Sequence, residues 1–185
     1  MFSSPRKPSG KTTALVIGIW IVVSGAAYAL GPYFAVRERA GALLEEQPRA
    51  VSEAREWLDA IGPEARDAYA TFQWIDLGTA ALTALALLIA LAFVLSRLTS
   101  WPGRRVRIAA ATLPLFVFVA EVAENILLTT ALAHYPAPAE SALAAVEMVT
   151  SVKLPVGFLT FAVAATGLIA VAAHALWQRR QAHKV

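Results

Sequence analysis

Four apolar segments, each about as long as a bilayer is thick, are separated by stretches whose charges divide into two populations. Ten of the 16 Lys and Arg residues (Arg6, Lys7, Lys11, Arg97, Arg104, Arg105, Arg107, Arg179, Arg180, Lys184) lie in three short stretches that contain no Asp or Glu. Every carboxylate lies elsewhere. Basic residues accumulate on the cytoplasmic side of spanning helices. The partition therefore predicts an all-α, integral membrane four-helix bundle in the cell (cytoplasmic) membrane, multi-pass, with N and C termini cytoplasmic.

Composition agrees. At 58% hydrophobic residues and a mean hydropathy of +0.58, the chain is too apolar for an ordinary soluble globule. A net charge of +3 would suit nucleic acid on a soluble face. Here the basic residues flank apolar runs, so the expected partner is the lipid bilayer and no nucleic acid. The absence of cysteine excludes disulfides, thiolate catalysis, iron–sulfur clusters and thiolate zinc sites. His134, His174 and His183 are not spaced as a metal or haem pair would be, so no metal and no cofactor is expected.

The chain reads as one four-span domain over 1–185, with spans at about 12–30, 71–98, 106–133 and 154–177. A signal peptide is the rival reading of the first apolar run, because Ala27-Tyr28-Ala29 resembles a cleavage site. The length of that run, Trp20 and the Ser24-Gly25-Ala26-Ala27 patch favour a retained, packed helix. Residues 35–70 form the largest piece outside the spans and hold eight acidic residues against five arginines. Pro48 and Gly62-Pro63 divide it, and Val51, Ala54, Leu58 and Ile61 recur at helical spacing. An amphipathic outer helix resting on the bundle or at the interface is expected. Trp101-Pro102-Gly103 and Tyr135-Pro136-Ala137-Pro138 predict the two short turns that order the last three spans.

Ionisable groups inside spanning helices are costly, so they face the bundle and mark candidate sites. This chain carries Asp76, Glu121, Glu124 and Lys153. Glu121, Glu124 and Asn125, at i, i+3 and i+4, share one face of the third span. At 1.5 Å per residue Asp76 lies roughly 8 Å, and Glu124 roughly 13 Å, below the outer ends of their helices. Lys153 reaches inward from the start of the fourth span. An ion pair of Lys153 with Asp76 or Glu124, bridged by Asn125, is the expected arrangement. One lysine leaves carboxyls in excess, so Glu121 or Glu124 is expected to carry a proton. Tyr69 and Gln73 continue the Asp76 stripe toward the outer surface as further ligand-binding candidates. Pro114 frees a carbonyl one turn before it, which favours a local cavity.

The combination Tyr69-x3-Gln73-x2-Asp76, Ala120-Glu121-Val122-Ala123-Glu124-Asn125 and Thr150-Ser151-Val152-Lys153 resembles a group of small four-span bacterial membrane proteins. That resemblance implies the architecture and the same choice of polar residues, and no reaction. The layout is also loosely similar to sterol-isomerase and sigma-2-receptor type bundles, whose histidine and aromatic signatures are not matched here.

Three functions follow from these residues. The first is a non-catalytic bundle that binds a lipid-like ligand around Asp76, Glu121, Glu124, Asn125 and Lys153, where a cationic or hydroxyl-bearing headgroup suits the excess carboxylates. The second is an integral membrane lipid or isoprenoid isomerase or cyclase, with Glu121 or Glu124 as acid and Asp76 as the partner stabilising positive charge. The third is an accessory subunit, a homo-oligomer or partner of another membrane protein, whose polar cluster is interhelical glue. A site requires a cavity that reaches the carboxylates; glue requires a closed network.

Overall fold

The computed structural model describes residues 8–29, 32–97 and 104–182. Residue 30, where the first span is expected to end, and the expected Trp101-Pro102-Gly103 turn lie outside them. The described secondary structure is helical throughout: α1 (Gly10–Ala29), α2 (Pro32–Ala40), a 3-10 turn (Leu44–Glu46), α3 (Val51–Arg97), α4 (Arg104–Ala133) and α5 (Glu140–Ala182). Four of these helices, α1, α3, α4 and α5, are long and apolar enough to cross a membrane.

Side-chain contacts fix their order. Trp20 Nε1 of α1 donates to Thr83 Oγ1 of α3 at 2.8 Å, and Tyr28 meets Asp76, so α1 and α3 run antiparallel. Asn125 of α4 reaches Gln73 and Asp76 of α3, and Lys153 of α5 reaches Glu121 and Glu124 of α4. The described basic residues Lys11, Arg97, Arg105, Arg179 and Arg180 therefore gather at one end of the bundle.

Length decides what happens at the other end. The 43 residues of α5 extend roughly 65 Å at 1.5 Å per residue, twice the ~30 Å of a bilayer's hydrocarbon. The stretch before Lys153 and the span after it form one helix, continuous through Pro155. Its first turns and those of α3 project beyond the apolar zone and build a cap with α2 and the 3-10 turn. Val36, Leu43, Leu44, Trp57, Leu58, Ile61, Tyr69, Phe72, Leu128 and Leu143 pack into one buried cluster there. Within α3, Gly62 (φ 78°, ψ 170°) breaks the helical geometry, and Pro63 restarts it. The amphipathic stretch before the break folds onto the cap, and the span follows it.

Packing is unequal lower down. A methyl group at Gly167 would stand 2.7 Å from Val94 Cγ1, so α5 approaches α3 closely at that level. Helix α1 is more exposed: Leu15, Ile19, Ile21 and Val22 face outward, and Thr13 alone of its residues is buried. The side chains of Trp74, 68% exposed, and Trp177 lie on the surface near the two ends of the apolar helices.

Candidate functional site

Helical spacing delivers the polar groups. On α3, Asp76, Thr79 and Thr83 share a face; on α4, Glu121, Glu124 and Asn125; on α5, Thr150 and Lys153. They form two adjoining clusters.

In the first, Lys153 Nζ donates to Glu121 Oε2 at 3.1 Å and to Glu124 Oε2, while Thr150 donates to Glu124 Oε1. Glu124 is wholly buried and the Lys153 side chain nearly so, whereas the Glu121 side chain retains 23% exposure. In the second, the Asp76 carboxylate accepts from Tyr28 Oη at 3.0 Å on Oδ1 and from Asn125 Nδ2 at 3.2 Å on Oδ2, while Thr79 Oγ1 donates to the Asp76 carbonyl at 2.9 Å and lies 3.2 Å from Oδ1. The expected Asn125 bridge to Lys153 is thus replaced. Lys153 serves both α4 glutamates because α5 packs on α4 there, and Asn125 turns to α3 to serve Asp76 and the Gln73 carbonyl. Asp76 is met by neutral donors alone, and one ammonium is shared between two carboxylates.

The remaining candidates go elsewhere. Tyr69 turns away from Gln73 and donates to Glu45 of the 3-10 turn, under the cap and against Trp57. The Gln73 side chain is buried beside Asn125, and its amide has no partner among the described residues. The Glu45 carboxyl, ordinarily near 4.5, is pushed up to about 8 by burial, with the Tyr69 hydrogen bond opposing that shift in part. The folded state therefore favours the protonated form. This contribution to stability is complete below the ordinary value and is lost as pH rises from 4.5 toward 8. Thermal melts across that window are expected to fall with pH more steeply for wild type than for Glu45→Gln. Parallel curves for the two proteins would remove Glu45 as the titrating group.

A partly open cavity of about 290 Å³ adjoins both clusters. Asp76, Thr79, Tyr28, Ser24, Glu121 and Lys153 form its polar wall; Glu124 is not part of it. Trp20, Leu87, Phe118, Phe158, Phe161 and Pro114 are among its apolar walls. Pro114 stands two turns along α4 from Glu121, where it both lacks an amide N–H and faces the void. A second, apolar groove of about 150 Å³ shares Trp20, Leu87 and Phe161 with the first. It continues toward the basic end along Ala86, Ala90, Ala164 and Ala165. Trp20 and Phe161, with ring centroids 6.0 Å apart, stand where the two spaces meet.

Spacing, though not composition, marks further members of the cavity wall beyond the expected site residues. Trp20, Ser24 and Tyr28 recur at i, i+4 and i+8 along α1, a polar-edged stripe facing α3. Thr79 and Thr83 repeat the Asp76 spacing on the facing helix. Among the described residues no group of His, Cys, Asp and Glu is arranged to hold a metal ion. Comparison with known protein families, curated proteins and solved structures found no match.

Proposed function

We propose that this chain is a multi-pass protein of the cell membrane, with both termini cytoplasmic, whose bundle binds a lipid-like, amphipathic ligand. Its orientation rests on the basic end formed by Lys11, Arg97, Arg105, Arg179 and Arg180, which the positive-inside rule puts in the cytoplasm. The cap, with its many carboxylates, then faces outward.

The observation that carries the binding reading is the cavity. Polar glue between helices closes on itself; here Asp76, Glu121 and Lys153 border a void whose remaining surface is mainly apolar. Across Trp20, Leu87 and Phe161 the void adjoins an apolar groove rather than a second polar space. One polar end joined to an apolar trough is the negative image of an amphiphile.

Gly157 supplies the test. It borders the cavity, and a Cβ there would meet nothing within 4 Å, so Gly157→Leu starts its side chain in open space beside the void and is chosen to occupy it. Native mass spectrometry of the detergent-purified protein is expected to show a co-purifying amphiphile in wild type that is lost in Gly157→Leu. The melting temperature is expected to hold or rise, since leucine restores about 1 kcal/mol of helix propensity. Equal lipid in both proteins would return the polar cluster to a structural role.

A further inference from the structure

We propose that the ligand is a single-chain amphiphile whose head is a protonated amine. This assignment rests on the cavity being a binding site, and it concerns what the two ends of that site select.

The polar wall has acceptors in excess. Two carboxylates reach it, Asp76 from α3 and Glu121 from α4. The ammonium beside them, Lys153, already donates to Glu121 and to the buried Glu124. Glu121 offers Lys153 only its Oε2. Tyr28 and Thr79 direct their hydroxyl hydrogens to Asp76, so their oxygens remain acceptors. An ammonium brings three donors and a positive charge to such a wall, and hydrogen bonds with a charged partner are about twice as strong as neutral ones. A phosphate or carboxylate head would bring further acceptors to a wall already rich in them. A hydroxyl head would supply one donor and leave the excess charge in place.

The tail end sets the number of chains. At about 290 Å³ the cavity lies at the lower edge of the roughly 300–1,000 Å³ typical of small-molecule sites. The groove beyond Trp20 and Phe161 is about half that size, and small alanines form much of its wall. A slot of that size holds one alkyl chain beside α3, and a second chain would lie outside it without these contacts.

The probes are hexadecylamine, hexadecanol, hexadecanoic acid and a two-chain phosphatidylethanolamine, each titrated into the purified full chain and followed by native mass spectrometry. Hexadecylamine is expected to bind at least about tenfold more tightly than hexadecanol, as the gain from charge-assisted bonds implies. Hexadecanoic acid is expected to bind more weakly than either. In Asp76→Asn/Glu121→Gln the amine's advantage should vanish while hexadecanol binding persists. Equal binding of amine and alcohol by wild type would overturn the head assignment and leave the cavity reading intact. Phosphatidylethanolamine binding as tightly as hexadecylamine would overturn the single chain. Probe binding that Gly157→Leu leaves unchanged would instead sink the cavity reading itself. The wild-type comparisons need no variant, so a double variant that fails to fold does not rescue the proposal.

Discussion

Lys153→Met is expected to produce the largest loss of stability of any single substitution in this bundle. Its side chain is 6% exposed and meets Glu124, which is wholly buried, together with Glu121. Removing one member of a buried ion pair typically costs about 3–5 kcal/mol, because the other charge stays behind without solvent or partner. Here two carboxylates would be left. In detergent, the expected result is a sharply lowered melting temperature with a broadened transition. Removing both sides of the tighter contact has a much smaller effect. Lys153→Met/Glu124→Met replaces an ion pair with apolar side chains of similar volume, and such replacements are often neutral. The double variant should regain most of the loss, since Glu121, bordering the cavity, retains partial exposure. If the double variant is no more stable than Lys153→Met, the two side chains are not energetically coupled, and the cluster does not hold the bundle together in the way its geometry indicates.

The ionisable members of the cluster stand out in the sequence because charge inside an apolar run has few explanations. Asp76, Glu121, Glu124 and Lys153 are legible for that reason, and helical spacing places Asn125 with them. The choice of partner is a different matter. Lys153 lies within reach of either side of the bundle on sequence grounds, and which carboxylates it meets depends on which face of α5 packs against α4. Hydroxyl groups are hidden for another reason. Tyr28, Ser24 and Thr79 are ordinary in spanning helices, where they bond locally at little cost, so their composition carries no signal. Tyr28 gains its meaning only from the antiparallel register of α1 on α3, which sets its hydroxyl 3.0 Å from Asp76. The cap shows the same limit. The stripe Val51, Ala54, Leu58, Ile61 marks an amphipathic helix, and Gly62-Pro63 marks its end. Nothing in that stripe tells that it buries Trp57 and Tyr69 against the turn carrying Glu45, because a stripe defines a face and not its partner.

Gly62 is where cap and bundle meet, and Gly62→Ala is expected to uncouple them. At φ 78° and ψ 170° its backbone lies in a region that is essentially glycine's alone. The obstacle is conformational and not steric: the nearest atom to an added Cβ would be Arg39 Nη1, at 3.9 Å, an ordinary contact. Holding alanine there costs about 1–3 kcal/mol. Continuing the helix through residue 62 is no escape, because Pro63 disfavours helical geometry at the residue before it and straightening α3 would lift Trp57, Leu58 and Ile61 out of the cap's core at about 1.5–3 kcal/mol each. Gly78, in the same helix and with open space around it, provides the comparison. Gly78→Ala should gain about 0.5–1 kcal/mol, as glycine-to-alanine changes within regular helix do. Hydrogen exchange separates local from global effects in Gly62→Ala. Faster exchange confined to Val51–Ile61 and the 3-10 turn, with the spans still protected, is the result expected of a hinge. Uniform loss of protection along α3 would mean that cap and bundle unfold as one unit, and that the break at Gly62 transmits stability between them instead of dividing them.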